Sequence, residues 1–225
     1  MFISMVSFMS GLPMIYEERA AFYRERAGQT YNSFWYFLSF SIVEIPYVFA
    51  GALVFMVVYY PMVGFVGFSE AILYWVNLAL LILFQAYLTQ LAMFSAPSME
   101  VATIFGVLLN SIGLMLTGFN PPALQIPRGY KWVYAIVPHR YSFSVLVAIV
   151  FGDCADDQLA AISLAAAGSG GVDSIDLTAY PLGCRIVRNA PTSVGEIPIK
   201  SYVKEVFGVK HEHILQYMGI SWGFS

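Results

Sequence analysis

The stretch Glu17-Glu18-Arg19-Ala20-Ala21-Phe22-Tyr23-Arg24-Glu25-Arg26 places six charges in ten positions of an otherwise apolar sequence. Only twelve charged residues occur before Asp153, so half of them lie here, with apolar runs on both sides. A bilayer cannot hold this density of charge, because each such side chain costs roughly 2.5 to 3.5 kcal/mol at the centre of a membrane helix. The stretch, called the charged segment below, is therefore predicted to lie at a water boundary between two buried helices.

The charges of this segment have no helical partners within the sequence itself. No two opposite charges are three or four residues apart, which is the spacing of stabilising ion pairs within a helix. Both signs are therefore expected to be free for contacts outside the helix. We interpret the segment as a docking surface that is formed by Glu18, Arg19, Tyr23, Arg24, Glu25 and Arg26.

The composition is that of a membrane protein. Hydrophobic residues make up 59% of the 225 residues and charged residues 11%, whereas about a quarter of a soluble domain is charged. The net charge is -3, and Lys and Arg form no run, so the sequence gives no reason to expect a nucleic-acid partner. The predicted fold class is an all-α membrane protein with a polytopic bundle of transmembrane helices.

Three membrane crossings are predicted after the charged segment, because three apolar stretches reach the roughly 20 residues that a crossing needs. They are residues 32–60, 71–95 and 99–119. Proline-containing breaks separate them, and Pro46 is expected to kink the first. Residues 1–15 are predicted to be the end of an earlier membrane helix and residues 16–29 a cytoplasmic helix. The arginines of the charged segment favour this orientation, although Arg128, Lys131 and Arg140 near the outer end of the third crossing count against it.

The remaining chain is predicted to face the exterior. Residues 121–151 are aromatic but only partly apolar, which favours two re-entrant helices split at Pro138 over a crossing. Residues 152–209 form an exterior loop, and residues 210–225 begin a last crossing. Cys154 and Cys184 bracket part of this loop, 30 residues apart. In an oxidising compartment their pairing would contribute about 3 to 4 kcal/mol, and two free thiols are the alternative.

Several further residues leave two interpretations open. Glu44 is an acid within a crossing, so it is either a functional polar site or a structural carboxylate near the cytoplasmic end of a tilted helix. The His139-Arg140 pair either binds an anion or anchors a re-entrant helix. Phe8, Met115 and Phe119 either line a path for apolar ligands or pack between helices. We find no catalytic, cofactor-binding or metal-binding motif in the sequence.

Three ordered motifs resemble one family along essentially the whole chain. They are residues 18–26 of the charged segment, Val43-Glu44-Ile45-Pro46-Tyr47, and Tyr202-Val203-Lys204-Glu205 ahead of Phe207-Gly208. Together they are similar to the last membrane domain of full-length G-type ABC transporters of the pleiotropic drug resistance group. The resemblance implies a helix bundle of the ABC-2 type. It also implies a multi-pass protein of the plasma membrane that exports hydrophobic compounds or lipids.

The resemblance also implies roles for particular residues. The charged segment is similar to the first intracellular loop, whose coupling helix contacts the nucleotide-binding domains. ATP and magnesium would be bound by those domains, which lie outside this chain, as does the other membrane half. Six crossings per domain imply that the chain begins within the second and stops within the sixth. The substrate path would pass Phe8 and Met115, with Phe119 at an exit gate. A non-transporting receptor or scaffold, or an inactive truncated product, is the alternative.

Overall fold

A computed structural model describes residues 2–63, 67–118, 126–152, 154, 158, 182–186, 198–208 and 214–224. These residues form helices and turns and contain no strand beyond one isolated bridge between Ile186 and Pro198. The prediction of an all-α membrane protein is confirmed. The chain divides into two compact units, residues 1–115 with 220–225 and residues 116–219. The α-helices are α1 (Phe2–Ala27), α2 (Ser33–Val63), α3 (Phe68–Ser95), α4 (Met99–Met115), α5 (Lys131–Ile136), α6 (Pro138–Phe151), α7 (Ile199–Tyr202) and α8 (Ile214–Phe224).

Helix α1 is continuous across the charged segment. Its 26 residues include both the apolar stretch predicted as 1–15 and most of the cytoplasmic helix predicted as 16–29. Pro13 lies within the helix and lacks the N–H for one backbone hydrogen bond, but the helix continues past it, because the residues that follow include good helix formers such as glutamate, arginine and alanine. The helix ends at Ala27, and Gln29, two residues later, has a left-handed φ of 51°. A single helix therefore runs from the apolar core into the charged segment.

Two of the described helices are long and apolar enough to cross a membrane, α2 with 31 residues and α3 with 28. Helix α2 continues through Pro61, where the sequence had suggested a turn, and ends at Val63. Helix α4 is apolar but has 17 residues, which corresponds to about 26 Å of helix. The third predicted crossing, 99–119, extends beyond α4 to Phe119, which lies outside the described residues.

Helix α3 is the centre of the first unit and packs against α1, α2 and α4. Trp75 and Tyr87 of α3 donate hydrogen bonds to backbone carbonyls of α2, at 3.0 and 3.1 Å. On its other side α3 contributes to the buried hydrophobic core, together with α1 and α4. The members of this core are Phe8, Leu12, Ile15, Ala92, Met93, Ala96 and Ala102.

Helices α1 and α4 approach closely where Phe8 meets Gly106. The Phe8 side chain is fully buried, and a Cβ atom built on Gly106 would lie 1.8 Å from the Phe8 ring. Glycine is therefore required at position 106 as long as phenylalanine occupies position 8. Small residues at such contacts let transmembrane helices pack tightly, because lipid supplies no hydrophobic force between them.

The second unit is held together by a disulfide and by hydrogen bonds around it. Cys154 and Cys184, the pair that brackets the predicted exterior loop, form a disulfide bond. The Lys200 ammonium donates to the Cys154 carbonyl at 2.5 Å, and Ile199 N–H donates to the Arg185 carbonyl at 2.8 Å. Within this unit, α5 and α6 are separate helices, and α6 begins at Pro138.

We predict that Gly106→Ala lowers the free energy of unfolding by about 1 to 3 kcal/mol, because the added methyl group overlaps the Phe8 ring. Gly51→Ala is the matched control, since no atom lies within 4 Å of a Cβ at position 51. The control should be neutral or stabilising by up to about 1 kcal/mol, as expected for glycine within a helix. The measurement is unfolding in detergent, and an equal effect of both substitutions would contradict the close approach.

We also predict that Cys154 and Cys184 are linked in the mature protein. A protease that cleaves at aspartate cuts between them, at Asp173 and Asp176 among others. Mass spectrometry of the unreduced digest should therefore find two peptides joined through the cysteines, which separate on reduction. Alkylation of both thiols without reduction would contradict the bond.

Candidate docking surface

Phe22 anchors the charged segment to the rest of the first unit. Its side chain is only 3% exposed, although charged residues surround it in the sequence. The ring lies 4.6 Å from that of Tyr36 and 5.4 Å from that of Phe37, both in α2, and 5.6 Å from that of Phe94 in α3. Such aromatic pairs stabilise beyond the area that they bury. The charged segment is therefore held by both neighbouring helices.

Arg19 binds the end of α3. Its Nη1 atom donates to the Met93 carbonyl at 2.9 Å and to the Ala96 carbonyl at 2.7 Å. Its guanidinium also lies 5.5 Å from the centre of the Tyr23 ring, within cation–π range. As expected, Arg19 uses its charge outside its own helix, but its partners are carbonyls of this chain that lie more than 70 residues away in the sequence. This tertiary contact was not predicted from the sequence.

The other members of the predicted surface lie further out. Tyr23, Arg24, Glu25 and Arg26 are exposed, whereas Glu18 is partly buried. The Glu25 carboxylate accepts a hydrogen bond from the Tyr31 hydroxyl at 2.6 Å, and this bond raises the pKa of Tyr31 to about 12. Burial raises the pKa of the Glu18 carboxyl. The exposed face thus offers two arginines and one tyrosine to a partner, with Glu25 already bonded within the chain.

A groove of about 610 Å³ opens between α1 and α2, beside this surface. Glu44 and Glu18 both lie in its wall. The groove is mostly apolar and contains both carboxylates. Its lining is Met14, Glu18, Ser39, Phe40, Val43, Glu44 and Tyr47. Both interpretations of Glu44 remain predictions.

The three residues predicted along a substrate path are in different environments. Phe8 packs in the interior against α4, as the helix-packing interpretation expects, whereas Met115 is 68% exposed. Phe119 lies outside the described residues. The structure does not bring Phe8 and Met115 together at an open site. Their role in a path remains a prediction.

Sequence reasoning missed a polar contact within the bundle. Gln85 of α3 donates to Asn110 of α4 at 2.8 Å, and the Asn110 amide donates to the Gly106 carbonyl at 3.0 Å. Both side chains are buried, at 0% and 2% exposed. Hydrogen bonds of this kind between membrane helices contribute about 0.6 to 2 kcal/mol. The available signal was the presence of amide side chains within otherwise apolar runs.

In the second unit, the His139-Arg140 pair is divided between two environments. His139 is 4% exposed, whereas the Arg140 guanidinium lies 4.0 Å from the centre of the Tyr134 ring. A neighbouring hydroxyl, that of Tyr141, donates to the Ala135 carbonyl at 2.7 Å. These contacts join α6 to α5, so the pair lies in a packed helical corner, and the geometry favours anchoring over anion binding.

Comparisons with known proteins agree on one family. Residues 1–151 match the family described as ABC-2 type transporter. The chain is 32% identical over 146 residues to ABC transporter G family member 41 of Oryza sativa subsp. japonica, covering 64% of this chain and 10% of that protein. It is 31% identical over 156 residues to ABC transporter G family member 33 of Arabidopsis thaliana, covering 68% of this chain and 11% of that protein. The chain thus spans about a tenth of these relatives.

We predict opposite outcomes for two adjacent aromatic residues. Phe22→Ala should lower the free energy of unfolding by about 3 to 5 kcal/mol, because it leaves a cavity among the rings of α2 and α3. Tyr23→Ala should cost less than about 1 kcal/mol, since Tyr23 is 44% exposed. Thermal unfolding of the two variants in detergent makes the comparison. Equal losses would show that the segment is not anchored through Phe22.

Proposed function

The chain belongs to the ABC-2 type transporter family, and from that premise we propose that it is the membrane-spanning permease portion of an ATP-driven exporter. The proposed cargo is hydrophobic compounds or lipids, and the proposed subgroup is that of pleiotropic drug resistance. The proposed location is the plasma membrane, with several crossings. The partners would be nucleotide-binding domains, which bind ATP and magnesium, and a second membrane half.

The observation that carries this proposal is the exposed, charged end of a helix whose other end is buried in the bundle. Arg24 and Arg26 face outward on α1, while Phe8 of the same helix packs against α3 and α4. A partner that displaces the charged end therefore acts on a helix that is continuous with the membrane interior. This is the mechanical requirement for coupling ATP hydrolysis to transport. In the proposal, Glu18, Arg19, Tyr23, Arg24, Glu25 and Arg26 form the coupling surface, in which the exposed residues Tyr23 to Arg26 face the partner and Arg19 is bonded to the end of α3.

The proposed substrate path is supported by exposed apolar side chains on two helices. Helices α2 and α4 present many large apolar side chains outward, and Met115 at the end of α4 is among the most exposed. Flexible, polarisable methionines adapt to apolar ligands of different shapes. We propose that Met115 and Phe119 gate the exit and that Phe8 lines the path.

Charge reversal at two exposed arginines tests the coupling surface. We predict that Arg24→Glu with Arg26→Glu, in the full-length protein in proteoliposomes, reduces ATP-dependent transport at least about tenfold. Removing one partner of a charge pair that is buried and hydrogen-bonded in an interface costs about 2 to 5 kcal/mol, and a tenfold loss corresponds to about 1.4 kcal/mol. Arg19 is left intact, because reversing it would also break its bonds to α3.

Lys131→Glu is the control, since Lys131 is an exposed cation in the second unit. Transport by the control should match the wild type. Unchanged transport in the double variant would overturn the coupling surface. A wild-type protein with neither ATP hydrolysis nor transport would instead favour the receptor or scaffold alternative.

A further inference from the structure

The last turn of α3 has a carbonyl that its own helix cannot satisfy. Helix α3 ends at Ser95, and its Ala92 carbonyl still accepts the N–H of Ala96 at 3.0 Å. The next carbonyl, that of Met93, would accept from residue 97, but Pro97 has no N–H. Proline at this position therefore ends the helix and leaves the Met93 oxygen without its helical donor.

Arg19 supplies the missing donor. The two N–H groups of its Nη1 atom match the two carbonyls of Met93 and Ala96, which it contacts at 2.9 and 2.7 Å. Met93 is fully buried and Ala96 is 9% exposed, so water has little access to these residues. A cation is also favoured at this place, because the C-terminus of a helix carries partial negative charge. The contact requires a long cationic side chain from α1 whose terminal nitrogen carries at least two N–H groups.

The contact lies next to the aromatic anchor. Arg19 and Phe22 are three residues apart, so they are neighbours on one face of α1. Phe22 meets Phe94, and Arg19 meets the carbonyls on either side of Phe94 in the sequence. Arg19 and Phe22 thus both bind the end of α3. Arg19 does so through charged hydrogen bonds, and Phe22 does so through ring packing. Directly beyond them begin the exposed residues Tyr23 to Arg26.

We propose that Arg19 is a positioning residue that fixes the docking surface to the end of α3, so that the surface and α3 move as one body. It would not contact the nucleotide-binding domains itself. This inference rests on the proposed function and assigns one member of the coupling surface an internal task. Displacement of Arg24 and Arg26 by a partner would then reach α3 directly as well as the apolar half of α1.

A distance measurement tests the rigid link. Spin labels at Ala27 and Leu91, both exposed, report the separation of α1 and α3 in the full-length protein in lipid nanodiscs. With Arg19 present, the distance distribution should be narrow and unchanged by a non-hydrolysable ATP analogue. In Arg19→Met it should broaden and respond to nucleotide, and Arg19→Lys should be intermediate. Lys131→Met, the matched control, should behave as the wild type.

A functional readout separates positioning from simple stability. Arg19→Met should keep the ATPase rate within about twofold while transport per ATP hydrolysed falls about fivefold or more, the lower end of typical coupling between sites. A purely structural role would lower the amount of folded protein and leave this ratio unchanged, which would overturn the proposal. An unchanged distance distribution in Arg19→Met would overturn it as well, whatever the result for Arg24→Glu with Arg26→Glu.

Discussion

The packing of α1 along α3 is the interaction on which the first unit depends. Near one end Phe8 and Leu12 enter the buried core, and near the other Phe22 and Arg19 bind the last turn of α3. Hydrophobic attraction between helices is weak in lipid, so close van der Waals packing and hydrogen bonds must hold the helices together. Gly106 provides the close approach of α4 to α1, and Arg19 provides hydrogen bonds between α1 and the end of α3.

In the proposed function, one helix is both a membrane element and a surface for a partner. The charges of the segment cannot enter the bilayer, and the apolar residues before it do not favour water. In the proposal, the continuous helix α1 meets both requirements by crossing the membrane boundary. In the proposal, this helix transmits displacement of its charged end to the apolar core, which a flexible connection between two separate helices would not do.

The sequence predicted much of the architecture because its signals are local. Apolar stretches of sufficient length predicted α2 and α3, and the density of charge predicted a water boundary after residue 16. The continuity of α1 and the passage of α2 through Pro61 were not expected. Membrane helices tolerate such prolines because neighbouring groups can satisfy the freed carbonyls. The contact between Gln85 and Asn110 was missed because it joins residues 25 apart on different helices.

The sequence by itself determined that this is a helical membrane protein with a charged helical end, because hydrophobicity and charge density act residue by residue. Which of those charges remain available was decided only by the tertiary structure. Arg19 and Arg24 are the same residue type and lie on the same helix. They differ because α3 ends beside Arg19, where Pro97 has removed a donor, and no local pattern could reveal that distant carbonyl.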